Sequence, residues 1–593
     1  MAQSLKIFQE LVTAPSNKMK YPAPCGQAES FNVYLENNNG TNTYLRSIEG
    51  IRTRLAKDGI GAYTMLTVSS VGQQKFNYEP SLFVIRNKHL YRYNTNLDEE
   101  LLMENIEINP DVGVKCAESG GENPCMFFVN GSDIMYAIRL KDDEGQLFQV
   151  QLPKKLDSDT DRIKASDISV VNGSIVVVDK DTSFVYYTIP YPLANDERVV
   201  FRMKINGKKY EPEYESDGVT PKWVMLKTDG RYEYNYDSGE VGSKIDSLDD
   251  VYSYVFLDDF HTKQYFSAES SSDIVKGIYT LGKTLVLFGS NSIEFYDRGD
   301  AESYKTWQRL SFTNYKEHGL FSRNTVASTS GIVFYVGQSD FATMSINTIQ
   351  GTQIQKVSPV WVDEMLRSHD VGYGFSYNKD GHAFYCLELN AKDSSQSDKT
   401  LVYDLTTQQW HYRVSRRNGT SQLFKWSARF VVRFNDEMLC GSNRYNSLFA
   451  LDDTYFYEDT NKDRIPLYRS RTSPMMINEY KPFNFLQMTA EGTVGTAQEY
   501  QTKQDVWDPA NGVVTVTRDY TPKILLEISN DGGYTFGGVF ESYLGKRGDY
   551  SFRTMWNNLG NYRQCVLKIT YTEPTSFMLN SVSMRVASSF QVI

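Results

Sequence analysis

Apolar residues in this chain come in short runs separated by turn residues, and the arrangement repeats. Leu82-Phe83-Val84-Ile85 is followed by Leu90-Tyr91, and Thr284-Leu285-Val286-Leu287-Phe288 by Ile293-Glu294-Phe295-Tyr296. Short runs rich in β-branched and aromatic residues, bounded by Gly, Asn, Asp and Ser, predict strands. Asn-Gly between such runs, as at Asn130-Gly131 and Asn172-Gly173, predicts tight hairpins. Units of this kind begin near Ser81, Met126, Ile168, Ile274, Val326, Gly374 and Ala428. Their period of ~40–50 residues is that of a toroidal all-β repeat. The pattern predicts an all-β fold, a β-propeller.

One interval breaks the period, the stretch of ~105 residues between the third and fourth units. It contains residues 204–249, rich in Tyr, Lys, Glu, Asp and Gly and poor in aliphatics. Such a stretch buries little core and predicts a long projecting loop or hairpin at one face of a ring. The predicted organisation is an N-terminal arm at 1–75, a propeller at 76–475 that includes this insertion, and a C-terminal β-sandwich-like module at 476–593. The longer strands Lys523–Ile528, Cys565–Thr570 and Val582–Val586 define that last module. Helix signal is sparse, and Val360–Leu366 after Ser358-Pro359 is its clearest instance.

Charge and chemistry narrow the function classes. The net charge of −11 argues against phosphate-neutralising DNA binding. An acidic wall would instead let DNA slide past. Six scattered cysteines, none spaced as C-x-x-C, read as free thiols. No secretory leader and no apolar run of ~20 residues is evident, so the expectation is a soluble chain without membrane insertion. P-loop, dinucleotide and metalloprotease motifs are missing. His89, His261, His318, His369, His382 and His411 are dispersed. No catalytic, cofactor-binding or metal-binding residue is predicted, and the chain is expected not to be an enzyme.

Three local motifs carry a weaker signal. Asp157–Asp161 and Asp459–Asp463 resemble the first half of a calcium loop, but Arg stands where the loop needs Gly, and Ile168 and Ser470 where it needs Glu. Solvated acidic turns are the plainer reading. Ser529-Asn530-Asp531-Gly532-Gly533-Tyr534-Thr535-Phe536 matches an Asp-box turn of the kind found in sialidase propellers. A single copy outside the repeats predicts a structural turn.

Taken in order, several segments resemble the packaged-DNA stabilisation, or tail nozzle, proteins of short-tailed, P22-like bacteriophages. They are Phe31-Asn32-Val33-Tyr34-Leu35-Glu36 with Leu45–Gly50; Leu82–Ile85 to Leu90-Tyr91-Arg92; and Ala268-Glu269 to Asp273-Ile274-Val275 with Leu287-Phe288-Gly289 and Ser292–Tyr296. Trp556-Asn557-Asn558-Leu559-Gly560 to Arg563 completes the series. Glu49 and Ser272 stand where the family pattern has Pro. The resemblance implies a podovirus virion tail protein, assembled in the host cytoplasm as a homo-hexameric ring below portal and adaptor proteins. Fibres or a needle would adjoin it. Double-stranded DNA would sit in its lumen without sequence-specific binding, held after packaging and released at ejection. The alternative is a propeller that binds or cleaves carbohydrate on the host surface. A cellular kelch or WD adaptor ranks last, because the Gly-Gly and Trp-Asp signatures of those families are missing.

Overall fold

A computed structural model describes residues 3–7 and most of 28–588. The longer stretches outside that set are 70–78, 189–197, 246–264, 298–306, 492–500 and 545–551. The architecture is all-β, of the β-propeller type, and built mainly from antiparallel sheets of four or more strands. Two compact units divide it: 62–357, and 1–61 together with 358–593.

The first unit carries five blades. Blade one is Tyr63–Val68, Leu82–Arg86, His89–Tyr93 and Glu99–Met103. It thus begins before Ser81, in the stretch read as an arm. Blade two is Lys115–Glu118, Cys125–Val129, Ile134–Arg139 and Leu147–Gln151. Blade three opens with Ala165–Val171, Ser174–Asp179 and Phe184–Tyr187, and takes its fourth strand, Tyr265–Ser267, from beyond the long interval. Blade four is Val275–Leu281, Thr284–Gly289, Ser292–Asp297 and Gln308–Arg309. Blade five is built on Ile332–Gln338, Met344–Gln350 and Gln353–Lys356, with the short strands Gly319–Leu320 and Ala327–Thr329 pairing to the first of these.

Blades stack face to face, and each junction is an apolar cluster. Phe83 and Ile85 meet Met126 and Phe128 between blades one and two. Phe127, Val129 and Phe148 meet Ile168, Ile175 and Val177 between two and three. Val176, Val178 and Val185 meet Ile278, Leu285 and Leu287 between three and four. Phe288, Ile293 and Phe295 meet Val333 and Tyr335 between four and five. The strands Leu82–Arg86, Cys125–Val129, Ser174–Asp179, Thr284–Gly289 and Ile332–Gln338 are buried on both faces, which is why they read as unbroken apolar runs.

The second unit carries blade six (His369–Lys379, His382–Ala391, Lys399–Asp404, Gln409–Arg416) and blade seven (Ala428–Phe434, Glu437–Ser442, Leu448–Asp452). The fourth strand of blade seven is Gly50–Leu55, paired antiparallel with Leu448–Asp452. The helix Val360–Ser368 precedes blade six, with the Ser358 hydroxyl donating to Asp363 at 2.5 Å. The C-terminal core packs Ile524, Leu526, Leu567 and Ile569 against Trp556, Leu559, Val582 and Met584, together with Val33 and Leu45 from the N-terminal segment.

One short strand joins these parts. Glu29–Phe31 lies between Gln409–Arg416 of blade six and Arg469–Met476 of the C-terminal module, so a single sheet runs from one into the other. Asn32 follows it in the left-handed region at φ 55° and is fully buried. Its amide donates to the Val414 and Tyr468 carbonyls, both at 2.7 Å, and accepts from the Val414 N–H at 2.9 Å. Asn tolerates that backbone region, and its side chain here replaces ladder bonds that the turning chain can no longer make. Asn32→Ala is expected to destabilise this unit by about 2–4 kcal/mol, from buried groups left unpaired plus a strained φ. Urea unfolding followed at a probe in blade six would show the loss.

Candidate functional site

The first strands of neighbouring blades run side by side, that of blade three lying beside those of blades two and four. Register slips mark the start of the first strand in blades one, three, four, six and seven, at Tyr63/Met65, Ala165/Asp167, Val275/Gly277, Val371/Gly374 and Arg429/Val431. A bulge turns side chains off the alternating pattern and re-aims them. In the first unit these bulges gather a polar cluster. Asp167, fully buried, pairs with the Arg323 guanidinium and accepts the Ile278 N–H at 2.8 Å. Lys115 donates to Asn324 at 2.5 Å. Burial first, then the charge of Arg323, pushes Lys115 down to about 8, and burial pushes Cys116 up to about 11. Residues far apart in sequence, from four blades, thus satisfy one another. None is paired as nucleophile and base.

The second unit buries a second set of charges. Arg413, fully buried, lies 3.6 Å from Glu49, and Lys379 lies 3.7 Å from the same carboxylate. The Arg413 guanidinium also covers the rings of Trp426 and Phe384 at 4.6 and 4.8 Å. Glu49 is the acid that matches this arginine. The next residue, Gly50, admits no side chain: a Cβ there would come within 2.0 Å of the Tyr455 carbonyl oxygen. His382 bridges Asp404 at 2.8 Å and Glu36 at 3.2 Å. Burial works against its charged form, but Asp404 and then Glu36 outweigh it and raise the imidazole above its ordinary value. His411, packed nearby, is driven well down by burial and by Arg413 and is neutral. Sequence spacing gave no sign that His382 and His411 converge, because they sit on the second and fourth strands of blade six, either side of Lys399–Asp404, rather than on one helix.

The interval within blade three folds as β-structure. Arg198–Phe201, Trp223–Lys227, Gly230–Asn235 and Glu240–Lys244 form an antiparallel four-stranded sheet. The hairpin Met203–Asn206 and Lys209–Pro212 extends the sheet of blade two. Charges hold it: Arg202 pairs with Glu213 at 3.0 Å, and Lys222 with Glu213 at 2.9 Å. At its turn, Asp217 accepts from the Thr220 hydroxyl and from the N–H groups of Thr220 and Val219, which holds the carboxyl at about 2. Trp223 stacks on Tyr236 at 4.5 Å, while Tyr214, Val219 and Val241 stand exposed.

The remaining motifs are structural. Asp531 accepts from the Thr535 N–H at 2.9 Å and the Ser529 hydroxyl at 2.7 Å, closing the turn between Lys523–Ser529 and Gly537–Tyr543. Asp459 is engaged by Arg464, by Tyr455 and by the Thr53 N–H. Asp157, Ser158 and Asp159 lie outside the described residues, as do Asn461, Lys462, His261 and Ser272. Among the described residues no group of three or more His, Cys, Asp or Glu is placed to hold a metal, and five cysteines are free thiols. Asp273 accepts from the Asn291 N–H and the Ser292 hydroxyl, both at 2.9 Å. A Cβ on Gly289 would lie 2.5 Å from that carboxylate, which explains the glycine in the Leu287-Phe288-Gly289 stretch.

Two outcomes follow. Asp167→Ala is expected to cost roughly 3 kcal/mol in denaturant unfolding, because Arg323 loses its buried partner. His382 binds its proton more tightly folded than unfolded. Its contribution is therefore complete below its unfolded value of about 6.5 and is lost as pH rises through the raised folded value. The melting-temperature gap between wild type and His382→Gln should shrink from pH 6 to pH 8.5.

Comparison with known proteins bears on only part of the chain. No curated protein sequence matches it. Solved structures overlap it only loosely. The WD40 domain of SCAP from fission yeast has 9% identity over 76% of this chain and 98% of its own, with a TM-score of 0.29. An exo-β-1,3-galactanase from Phanerochaete chrysosporium has 8% identity over 80% and 95%, with a TM-score of 0.23. Overlap at that level carries no functional argument. The family model Phage_stabilise, described as "Bacteriophage P22 Gp10, beta-propeller", matches residues 254–456. That span runs from the last strand of blade three through blade seven, and over it the chain is similar to a bacteriophage stabilisation family.

Proposed function

We propose that this protein is a structural component of a short-tailed phage virion, a tail nozzle that closes the DNA exit channel, retains the packaged genome and opens for ejection. The observation that carries the reading is the family match across four blades, made on a stretch that includes the turn of blade four built by Asp273 and Gly289. In this reading six copies form a ring below portal and adaptor proteins, with other tail proteins alongside, and the chain works in the virion tail rather than as an enzyme. Rigid blades with covered edges suit a wall under internal pressure. A net charge of −11 suits a wall that DNA passes without adhering. Cyclic symmetry would bring six copies of one insertion toward a common axis. The 204–249 segment, with its acidic turns and exposed Tyr214 and Val219, is the insertion assigned to that place.

Replacing 204–249 by a short Gly-Ser linker, which also removes the edge strand Lys209–Pro212 from blade two, is expected to leave the blades folded while particles lose packaged DNA and titre falls by at least about tenfold. Unchanged DNA retention and infectivity would sink the assignment. The isolated protein is expected to bind a 30-base-pair duplex no more tightly than about 10⁻⁴ M at physiological salt, the weak end of non-specific binding. Filter binding or fluorescence anisotropy measures this directly.

A further inference from the structure

A cleft of about 390 Å³ opens in the second unit beside blades six and seven. Its size falls in the range of small-molecule sites. Three guanidiniums line it: Arg416 and Arg417 at the end of Gln409–Arg416, and Arg444 in the turn after Glu437–Ser442. None of the three has a carboxylate within ion-pair distance among the described residues, whereas neighbouring Lys425 and Arg464 are paired with Glu388 and Asp459. Arg417 lies over the Phe424 ring at 3.8 Å, and Arg444 over the Tyr445 ring at 5.7 Å. Stacking fixes the planes of both groups and leaves their N–H edges for a ligand.

The wall of the cleft holds a second, independent feature. Glu458 is 5% exposed, and its Oε1 has no hydrogen-bond partner. The Arg416 Nε is likewise buried without a partner, although its Nη2 donates to the Pro466 carbonyl at 3.0 Å. Orphaned buried polar atoms are costly, and a bound group that satisfies them recovers the cost. Burial pushes the Glu458 carboxyl up to about 8, against the opposing pull of Ser415 and Arg416, so at neutral pH it is mostly a neutral acid able to donate.

The geometry points to a binding site for a carboxylate-bearing sugar, an acidic saccharide unit. A planar carboxylate takes two parallel bonds from a guanidinium. Sugar hydroxyls match the mixed donors and acceptors of Glu458, Asp459 and Tyr445. A polyphosphate backbone is disfavoured, because Asp459 and Asp398 also line the cleft. Both aromatic rings carry an arginine, so neither is free to stack on a base. The site lies outside everything the nozzle reading uses and would give the particle a contact with acidic polysaccharide at the host surface.

Calorimetric titration of the full chain with a glucuronate-containing tetrasaccharide tests it. Binding is expected, with a loss of about tenfold or more, ~1.4 kcal/mol, in Arg417→Ala/Arg444→Ala. A glucose tetramer, inorganic phosphate and a short DNA duplex run in parallel should bind at least tenfold more weakly. Glu458→Gln keeps a donor and should bind within about threefold of wild type, whereas Glu458→Ala should lose about tenfold. Melting temperatures confirm that each variant is folded. No heat up to about 10 mM tetrasaccharide, equal affinity for phosphate or duplex, or undiminished binding by the double variant would each overturn the proposal.

Discussion

The second unit depends on a three-residue strand and the asparagine after it. Glu29–Phe31 fills the gap between the outer edge of blade six and the first strand of the C-terminal module, and Asn32 closes the seam with three hydrogen bonds. Without it each sheet would end in an open edge, with unpaired N–H and C=O groups that cost free energy when buried. Phe31 stacks on Tyr412 at 5.2 Å beneath the seam. The N-terminal segment from Glu29 to Leu55 is therefore built into three sheets, the seam, blade seven and a small sheet with Met578–Leu579, rather than being an arm laid on a finished domain.

Buried charge follows from the same construction. Bulges at the start of the first strand in five of the blades turn polar side chains toward neighbouring blades, where water is scarce and every charge needs a partner. Asp167 with Arg323, Glu388 with Arg429, and Glu49 with Arg413 each join different elements of the sheet stack. Such pairs add little net stability over an apolar filling, but losing one partner is expensive. They fix which blade sits against which, a register that interchangeable Val and Ile contacts leave loose.

Much of this was legible in the chain. The apolar runs located inner strands of every blade, and Ser358-Pro359 located the helix Val360–Ser368. The Asp-box segment reads correctly as a turn, since Ser529 and Asp531 satisfy backbone groups within a few residues of themselves. The residues of the Phe31–Glu36 motif proved to carry the seam and the His382 bridge. What escaped was long-range. The first strand of blade one, Tyr63–Val68, was hidden in a stretch whose loops dominate its composition. The β-sheet within 198–244 escaped although Val199–Phe201 and Trp223–Leu226 are apolar runs and Tyr232, Tyr234 and Tyr236 alternate, because the charged and Gly-rich residues around them dominate the composition of the stretch. The basic cleft joins Arg416 and Glu458 from two strands with Arg444 from a turn, with no spacing to betray it.

Local chemistry settled the strand content of this protein, its punctuation into blades and its acidic charge, because propensity, alternation and turn preference act over a few residues. The tertiary structure alone decided that Gly50–Leu55 completes blade seven and Tyr265–Ser267 blade three, and that Glu49 meets Arg413 and His382 meets Glu36. Edge pairing and the matching of buried charges are satisfied by whatever partner the closed fold brings within reach, and nothing in the linear order names that partner in advance.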